Sequence, residues 1–519
     1  MKAKLISSST FNRFWEWLRQ LSAAKRWGLL LVVYSAGVLS LERIAQIFET
    51  SWRVSPWDPA SALHITLLLS LGNRYLPIVF LARWLSGLIL NIESPWLSLS
   101  AAIYVSLGHG SASYLLKRWL KIDPRLYCWR DVAWFTLIAG LIIPLVAGTL
   151  YVMTLFATDQ VIQAELSERV LHEWAGESTG IMMLAPILLS ILRILPWGQS
   201  HIDLSQPPPP VEIDRPSLRQ GMELILSISA LAFVSWLAYG IERTNLLNYD
   251  YLSFLPLILI ASRRGLISGA LAVLFINVVS VILVGGKVQE EEDASLALQF
   301  GLMTTSLTGV LLGAITTDRR QTEEQLHYQA THDSLTRLYN RNWFLSRLSQ
   351  VIGRSRDGNA PLFAVLFLDL DRFKIVNDSL GHRVGDWLLT EVARQLQRTL
   401  RPYSQIARIG GDEFIILLED LDSDKMASSI AEQICQELAK FYEVGEYKVF
   451  TTISLGLTLS SHGYATPEEI LRDADIALYQ AKARGKNQYA VFDRAMYDAV
   501  IRRSQLEQDL RQAIEKLDL

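Results

Sequence analysis

Acidic residues follow two β-rich segments in the C-terminal part of the chain. The apolar run at residues 362–370 leads into Asp369-Leu370-Asp371, and Asp412-Glu413 comes directly after Gly410-Gly411. Hard divalent cations such as Mg²⁺ prefer carboxylate oxygens and share the phosphates of a bound substrate. Two glycines without side chains leave room for a nucleotide base and sugar against bare backbone. These residues predict a site that binds a divalent cation together with a nucleotide.

Basic and amide side chains near these acids fit the same kind of substrate. Lys374, Lys482 and Lys486 can act as point charges for a triphosphate. Asn377 and Asp386 carry the acceptors and donors that can read the edge of a guanine base. Each of these residue types also has common structural roles, because acids at strand ends and Gly-Gly turns occur in many proteins. The hypothesis therefore depends on the elements that would bring the residues together.

Alternating strands and helices surround the candidate residues. The glycines at 410 and 411 favour a hairpin between two β-rich runs, since glycine adopts positive φ at no steric cost. Thr466 is a predicted N-cap, with Pro467 at the first helical position and Glu469 closing a capping box. The pattern predicts one α/β or α+β domain with a central sheet covered by helices. The predicted strands are 362–370, 405–409, 413–418 and 448–459, and the predicted helices are 384–400, 424–442 and 466–483.

The N-terminal part of the chain has a different composition. Half of the 519 residues are hydrophobic and only 19% are charged, which is unusual for a purely soluble protein. Almost every long apolar run lies before residue 317, and a membrane-spanning helix needs about 20 mostly apolar residues. We therefore expect a multi-span α-helical membrane domain of about 8–10 helices. The candidate spans are 27–42, 61–73, 76–94, 96–116, 132–157, 178–197, 221–240, 251–262, 265–286 and 297–316.

The distribution of lysine and arginine predicts the orientation of this domain. Basic residues are frequent in the amphipathic N-terminus at 1–26 and in the connection after the fourth apolar run, which places both in the cytoplasm. The acidic connections at 159–177 and 290–293 would then lie outside. With an even number of spans, the chain from Asp318 onward returns to the cytoplasm, where nucleoside triphosphates are available.

Several polar features stand out within the apolar half. Arg83, His109 and the stretch 174–177 place ionisable groups in or beside predicted spans, where such groups are candidates for function. Snorkelling or interfacial anchoring is the alternative for each of them.

Four prolines at 207–210 mark a loop, either a plain connector or a site for a proline-binding partner. The net charge of −3 indicates no nucleic-acid partner, and the two cysteines lie too far apart in sequence to indicate a disulfide framework.

Five motifs occur in order over residues 332–495. They are HDSLTRLYNR (332–341), LDLDRFKIVNDSLGHRVGD (368–386), RIGGDEF (408–414), TISLGLT (452–458) and DADIALYQAKARGKN (473–487). Together they resemble the successive signatures of a GGDEF-domain diguanylate cyclase. The resemblance implies a fold like the palm of nucleotidyl cyclases and polymerases. It also implies the condensation of two GTP molecules into cyclic di-GMP with release of pyrophosphate.

The same resemblance assigns roles to individual residues. It implies that Asp369 and Asp412 are metal carboxylates beside the main-chain carbonyl of Leu370, and that Glu413 completes the metal and 3′-hydroxyl site. Two Mg²⁺ ions per active site are implied, with Mn²⁺ able to replace them. Asp371 is kept as a further candidate acid. The implied substrate contacts are the guanine-reading pair Asn377 and Asp386, the phosphate contacts Lys374, Lys482 and Lys486, the bare backbone of Gly410 and Gly411, and Arg408 in a charge-stabilising or structural role.

Synthesis from two nucleotides has a consequence for assembly. Because one domain of this family holds one GTP, the resemblance implies a homodimer through the GGDEF domains. Residues 317–331 favour a helix with a thin apolar stripe, which fits either a signalling helix that pairs with its copy or a solvated linker. The alternative function is a catalytically silent GGDEF domain that binds GTP or cyclic di-GMP, and the intact Asp369, Asp412, Glu413 and Lys482 speak against it. A transporter is a third reading, without a convincing inverted repeat to support it.

Two passages of the N-terminal half carry a second resemblance. SPWDPASALHITLLLSLGNRYLPIVFLA (55–82) and EWAGESTGIMMLAPILL (173–189) resemble signatures of the membrane-associated sensor (MASE-type) domain of bacterial signalling proteins. The resemblance implies that residues 27–316 form a multi-pass sensor in the lipid bilayer of the inner (cytoplasmic) membrane, with an unknown ligand.

Two features near the C-terminus depart from the family's usual pattern. The predicted amphipathic helix at 496–519 resembles the lead-in to an EAL phosphodiesterase domain, and no EAL motif follows it. Where the family often has an R-x-x-D inhibition motif, residues 401–404 read Arg-Pro-Tyr-Ser, which predicts weak or absent product inhibition at this site.

Overall fold

The computed structural model divides the chain into two compact units, Met1–Gln321 and Thr322–Leu519. It describes residues 22–48, 55–91, 94–126, 128–192, 218–240, 252–288, 292–356, 362–400, 404–444 and 447–515. Most of the predicted amphipathic N-terminus and the four-proline run lie outside the described residues.

Helices form the described part of the first unit. A π-helical segment, Thr136–Ile142, joins α5 to α6, and another, Leu115–Trp119, continues α4. Asp58 caps the N-terminus of α2 by accepting a hydrogen bond from the Ala60 amide, as expected for aspartate at this position. The helices are α1 (Ala23–Gln46), α2 (Pro59–Leu71), α3 (Leu76–Ile89), α4 (Pro95–Tyr114), α5 (Trp129–Phe135), α6 (Ile143–Ala157), α7 (Leu166–Leu192), α8 (Leu218–Gly240), α9 (Phe254–Arg264), α10 (Leu266–Val288) and α11 (Glu292–Thr331).

In its described part, each of the ten apolar runs found in the sequence overlaps one or more of these helices. Among the described residues, five helical stretches are long and apolar enough to cross a membrane. They are Trp27–Gln46, Trp129–Ala157, Gln163–Ile191, Leu266–Leu283 and Ser295–Thr331.

One boundary in this unit was predicted incorrectly. Residues 159–177 were expected to form an acidic connection, but α7 begins at Leu166 and includes Glu177 well inside the helix. Glu177 is buried, and its carboxylate lies 3.3 Å from His109 Nε2. Glu168, Glu173 and Glu177 therefore lie on α7, and only Asp159 and Glu165 precede this helix.

The second unit is built around a six-stranded sheet. The strand order is β1-β3-β4-β2-β7-β8, with the outer pairs β1/β3 and β7/β8 parallel and the inner pairs antiparallel. Two further strands, β5 and β6, form a separate two-stranded sheet. The strands are β1 (Tyr339–Asn340), β2 (Leu362–Leu370), β3 (Ser404–Gly410), β4 (Glu413–Leu421), β5 (Lys440–Val444), β6 (Tyr447–Thr451), β7 (Ile453–Leu459) and β8 (Tyr489–Val491). The helices are α12 (Arg341–Arg356), α13 (Phe373–Leu380), α14 (His382–Thr399), α15 (Asp424–Leu438), α16 (Pro467–Ala483) and α17 (Arg494–Glu515).

Helices cover both faces of this sheet, as the alternation of side chains along a strand requires. On the central strand β2, Leu366 and Leu368 pack in the cluster that contains α14 and α15. Val365 and Phe367 pack in the cluster that contains α12 and α16. The predicted α/β architecture with a covered central sheet is confirmed.

Several element boundaries differ from those predicted. The helix expected at 424–442 ends at Leu438, because residues 440–444 pair with 447–451 in a separate hairpin. The strand expected at 448–459 is divided at Thr452 between β6 and β7. Helices α12 and α13 were not predicted. The capping box is confirmed: Thr466 accepts from the Glu469 amide, and the Glu469 carboxylate accepts from the Thr466 amide.

Candidate active site

Asp369 and Glu413 are directly opposite each other on adjacent antiparallel strands. Residue 369 of β2 pairs in register with residue 413 of β4. The same alternation that sends Val365 and Phe367 toward α16 places Asp369 on that face of the sheet. On β4, Ile415 and Leu417 face the same way, and so does Glu413. Two carboxylates therefore lie side by side at the end of the sheet.

The hairpin that carries Glu413 has the predicted glycine turn. β3 and β4 pair around a two-residue connection, Gly411-Asp412, and Gly411 has a φ of 53°. A two-residue turn of this kind favours glycine because an L side chain at positive φ is strained. A Cβ built on either Gly410 or Gly411 would meet no atom within 4 Å. The bend consequently leaves open space beside Asp412 and Glu413.

Lys482 approaches the same acids from α16. Ile470, Ala474 and Leu478 follow one another at four-residue spacing and pack against the sheet. The next position in this series is 482, so the helical repeat carries the lysine to the end of the sheet. Its Nζ lies 2.7 Å from Asp369 Oδ1. The geometry brings together two residues that are 113 positions apart in the sequence.

The acids influence one another's protonation. Burial raises the pKa of Asp369, the charges of Asp412 and Asp371 raise it further, and Lys482 opposes both effects. Burial also raises the pKa of Glu413, with contributions from Asp369, Asp412 and Asp475. The pKa of Asp475, on α16, is raised by its own burial and lowered by Lys482, with a net increase. The site thus concentrates negative charge that is incompletely neutralised.

The chemistry of these donors fits a hard divalent cation. Carboxylates that raise one another's pKa become easier to ionise when a cation is held between them, and Mg²⁺ prefers such oxygens. Asp369, Asp412 and Glu413 are the residues that could hold it. Within the described ranges, no three His, Cys, Asp or Glu side chains are already gathered as ligands around one point. The Lys482 ammonium group is the cationic partner that Asp369 has in this structure.

The predicted guanine-reading residues lie on the two helices after β2. Asn377 is on α13 and Asp386 on α14, and a break at Gly381, with a φ of 86°, separates these helices. The side-chain oxygen of Asn377 is buried and has no hydrogen-bond partner among the described residues. A Cβ on Gly385 would overlap that oxygen, so the glycine is required for its position. Buried acceptors are usually satisfied, so this one is a good candidate for binding a ligand's N–H group.

Lys374, Lys486 and Asp386 are exposed, and the structure places each close in sequence to a site element. Lys374 is on the first turn of α13, immediately after the β2 end. Lys486 follows α16 with a φ of 67°, and its amide donates to Ala481 O at 3.2 Å. No contact between these side chains and the acid cluster is found among the described residues, so their substrate roles stay predictions.

Arg408 is engaged within the protein. Its guanidinium donates to Gly411 O from Nε at 3.0 Å and from Nη2 at 2.7 Å. Nη1 donates to Asp333 Oδ1 at 3.0 Å. Burial acts to raise the pKa of Asp333, but hydrogen bonds from Thr336 and Arg408 outweigh it and lower the pKa. The structural alternative for Arg408 agrees with these contacts, since they fix the carbonyl of the turn glycine.

The sequence did not indicate the contacts of two acidic residues. Asp371 was a candidate acid, and its carboxylate accepts hydrogen bonds from Thr452 Oγ1, Ser454 Oγ and the Asn487 amide at 2.7, 2.8 and 3.1 Å. It therefore connects the end of β2 to the segment that follows α16. Asp475 was overlooked, although its spacing of seven residues from Lys482 on one helix places both on the same face.

Comparisons with known proteins match both units. The family model "Diguanylate cyclase, GGDEF domain" matches residues 330–488, and the family model MASE1 matches residues 27–320. Both resemblances seen in the sequence, and the predicted fold class, are confirmed.

Curated relatives share part of the chain. The bifunctional diguanylate cyclase/cyclic di-GMP phosphodiesterase MucR of Pseudomonas aeruginosa is 35% identical over 260 residues, which are 50% of this chain and 36% of that protein. The diguanylate cyclase TpbB of the same species is 41% identical over 168 residues, which are 32% of this chain and 38% of that protein. The chain thus spans little more than a third of the length of these relatives.

Solved structures match the C-terminal unit. The GGDEF domain of TpbB (YfiN) from Pseudomonas aeruginosa is 36% identical, covering 33% of this chain and 98% of that one, with a TM-score of 0.32. The coiled coil and GGDEF domain of DgcB from Caulobacter crescentus, in complex with c-di-GMP, is 28% identical, covering 33% and 91%, with a TM-score of 0.32.

Proposed function

Because the chain belongs to the MASE1 family and carries a GGDEF domain at residues 330–488, we propose that it is a membrane-bound diguanylate cyclase. It condenses two GTP molecules into cyclic di-GMP and releases two pyrophosphates. The MASE1 region acts as the sensor that controls this reaction. The chain crosses the cytoplasmic membrane several times, with its N-terminus and GGDEF domain in the cytoplasm.

The observation that carries this proposal is the pairing of Asp369 with Glu413 in register beside the open glycine turn. Two partly buried carboxylates held side by side, with Asp412 next to them, make an unfavourable arrangement without a positive partner. A purely structural role would favour a neutral or fully paired set of side chains. The arrangement suits a nucleotidyl transfer site, because these carboxylates would hold cations that stabilise the negative charge developing on pyrophosphate and on the attacking hydroxyl.

Each side chain has a distinct task in this proposal. Asp369, Asp412, Glu413 and the carbonyl of Leu370 would hold Mg²⁺, or Mn²⁺ in its place. When bound, two such ions would supply charge stabilisation and lower the pKa of the 3′-hydroxyl. Lys482, beside Asp369, is positioned to move its ammonium group between that carboxylate and the triphosphate. Lys374 and Lys486 add charge for the phosphates.

Recognition of the base falls to the helices after β2. The buried, unpartnered oxygen of Asn377 accepts an N–H of guanine, and Asp386 contributes a second acceptor. Gly410 and Gly411 give the ribose and base space along the turn. Arg408 acts indirectly, by holding the Gly411 carbonyl and hence the shape of that turn.

The reaction joins two half-sites. In each bond-forming step a 3′-oxygen attacks the α-phosphorus of the other GTP, the bond to the pyrophosphate oxygen breaks, and the hydroxyl proton is lost. One domain presents one nucleotide, so two copies of the chain must meet through their GGDEF domains, with the linker helix at 317–331 contributing to the pairing. Positioning of reactants is worth about 7–11 kcal/mol in favourable cases, which makes this meeting a natural point of control.

A catalytically silent receptor is the competing function. Asp369 bonded to Lys482 is compatible with a domain that binds a guanine nucleotide without turning it over. The two functions differ in product. We expect the purified full chain in detergent to convert GTP to cyclic di-GMP with Mg²⁺ and to stop when the metal is chelated. Tight binding of GTP or cyclic di-GMP without any product, at protein concentrations that allow pairing, would support the receptor instead.

A further inference from the structure

The first unit contains a partly open cavity of about 850 Å³ that has no part in nucleotide chemistry. It lies at one end of the helix bundle. The C-terminal parts of α1 and α6 line it through Glu42 and Leu155, and the N-terminal parts of α4 and α7 line it through Ala101 and Arg169. Its volume is within the range of small-molecule sites, which is about 300–1,000 Å³.

The wall of this cavity is a fixed structure. The amide of Asp58 donates to Gly176 O at 2.9 Å, which ties the start of α2 to the middle of α7. Ser61 Oγ donates to Asp58 Oδ2 at 2.7 Å and lies 3.5 Å from Glu177 Oε1. A Cβ at Gly180 would overlap the backbone of Asp58, so the two helices approach closely at this point. Asp58 and Glu177 are therefore held in position before any ligand arrives.

The charge of the lining is unbalanced. Six acidic side chains line the cavity against two arginines. Arg83 pairs with Glu42 at 3.5 Å, and Arg169 pairs with Glu173 at 3.4 Å. Arg83 and Arg169 each pair with one acid, and Glu177 lies 3.3 Å from His109 Nε2. Three acids are left on the wall, Asp58, Glu165 and Glu168. This surplus attracts a positively charged group.

Aromatic side chains add to the preference for a cation and define a second requirement. Trp57, Tyr104 and Tyr151 line the cavity, and the faces of such rings attract ammonium and guanidinium groups. Trp57 is only 7% exposed, and its indole N–H has no acceptor among the described residues. A buried donor of this kind is completed by an acceptor on a ligand. The lining is thus complementary to a molecule that carries both a cationic group and a hydrogen-bond acceptor.

We propose that this cavity binds a small organic cation, an amine or guanidine that also carries a hydroxyl or carbonyl oxygen. The positive group lies toward the surplus acids, Asp58 and Glu168 among them. The oxygen accepts from Trp57 Nε1. Because the acids come from α7 and from the start of α2, one extended molecule is a better match than a point charge.

The cavity is also connected to the helix that continues into the second unit. His172, on the cavity wall, hydrogen-bonds Gln299 Oε1 through Nδ1 at 2.7 Å, and Gln299 Nε2 donates to Ser55 O at 3.1 Å. Gln299 lies near the start of α11, which ends at Thr331. A ligand in the cavity could control the cyclase through these hydrogen bonds, and that step rests on the proposed function. Binding of the ligand in the cavity does not rest on it.

Binding is tested on the full chain in phosphatidylcholine nanodiscs by saturation-transfer NMR, which needs no turnover. The probes are 5-amino-1-pentanol, 1,5-pentanediol and 5-hydroxypentanoate, which have similar lengths but positive, zero and negative charge. We expect the aminoalcohol to bind at least tenfold more tightly than either of the others. Equal binding of the diol, tighter binding of the anion, or no binding of any probe would overturn the proposal.

Variants locate the site. Glu165→Gln and Glu168→Gln should each weaken the aminoalcohol about tenfold. Asp159→Asn, at an exposed acid outside the cavity lining, should leave the affinity unchanged. In the parent protein, the aminoalcohol should bind more tightly than pentylamine, which lacks the hydroxyl oxygen. Trp57→Phe removes the indole N–H that donates to this oxygen, so the two amines should then bind equally. Unchanged affinity in both glutamate variants, with monodisperse protein, would place the binding elsewhere and refute the assignment.

Discussion

Lys482 Nζ lies 2.7 Å from Asp369 Oδ1, at the point where a helix and the central strand of the sheet end together. The lysine side chain is about one-third exposed and the aspartate side chain is 14% exposed. An ion pair that is largely but not fully shielded can exchange one partner for another. In the proposed enzyme, the carboxylate gains a metal ion and the ammonium group gains a phosphate.

Removal of this lysine should impair the reaction strongly. A hydrogen bond to a charged group contributes about 1.5–3 kcal/mol, so Lys482→Ala should lower kcat/KM by about 10-fold to 100-fold. Lys482→Arg should keep part of the activity, because the charge stays but the geometry changes. Lys448→Ala, at a largely exposed lysine that pairs with Glu443 in the separate hairpin, is the control. Steady-state synthesis of cyclic di-GMP measures the effect, and equal rates for the Lys482 and Lys448 variants would contradict the role.

The proposed role of Asn377 in binding the base can be tested by substituting the neighbouring Gly385. Gly385→Ala should displace the Asn377 oxygen that a Cβ would overlap, and it should raise the KM for GTP about tenfold with a smaller change in kcat. Asn377→Ala should give a similar increase, and the double variant little more, because both changes remove one contact. Gly353→Ala, on a helix with nothing near its Cβ position, is the matched control. Additive effects of the two substitutions would show that they act on different contacts.

Protonation of the acid cluster should govern the stability of the metal-free protein. The folded-state pKa values of Asp369 and Glu413 are raised, so ionisation at neutral pH opposes folding, and this cost disappears as the pH falls through the raised values toward the ordinary carboxyl range near 4. Glu413→Gln should therefore melt about 2 °C higher than the parent at pH 7.5 in EDTA, with the difference shrinking toward pH 4.

Calorimetry of the full chain in detergent measures these melting temperatures, with Glu432→Gln at an exposed helical position as the control. Mg²⁺ at pH 7.5 should stabilise the parent more than the Glu413 variant. A Glu413→Gln variant that is less stable than the parent at pH 7.5 would mean that the carboxylate is satisfied by contacts within the protein.

The link between Arg408 and Asp333 should behave as a coupled pair. Arg408→Ala and Asp333→Ala each remove the same 3.0 Å ion pair, so a double-mutant cycle should give a coupling free energy of about 1 kcal/mol. The pKa of Asp333 is lowered in the folded state, so this contribution is present above its ordinary pKa and is lost as the pH falls through the lowered value. Thermal unfolding at pH 7.5 and pH 3 measures both effects. A coupling that is the same at both pH values would argue against the ion pair.

Local sequence patterns were sufficient for much of this fold. The continuous apolar run of β2, the glycine turn at 410–411 and the capping box at Thr466 each depend on neighbouring residues, and each was predicted. Prediction from the sequence failed where contacts with distant segments determine the secondary structure. The helix expected at 424–442 ends early because residues 440–444 have a strand partner at 447–451. The hydrophobic periodicity of residues 424–442 does not indicate that the last of them pair with another strand.

The same distinction applies to the sites. Asp369, Glu413 and Lys482 could be proposed from their motifs, but their contacts depend on strand register and on the length of α16. Asp371 lies in the same motif as Asp369, yet its carboxylate is bonded to Thr452, Ser454 and Asn487 because the strand ends one residue earlier. In the first unit, His109 and the stretch containing Glu177 were suspected separately. Only the folded structure, with His109 Nε2 3.3 Å from the Glu177 carboxylate, reveals that they meet.

The most direct test of the cyclase is the product made by variants of its acids. We expect the purified full chain to make cyclic di-GMP from GTP with Mg²⁺, Asp412→Ala and Glu413→Ala to lose this activity while remaining folded, and the exposed Glu432→Ala to keep it. Undiminished synthesis by either acid variant would contradict the account.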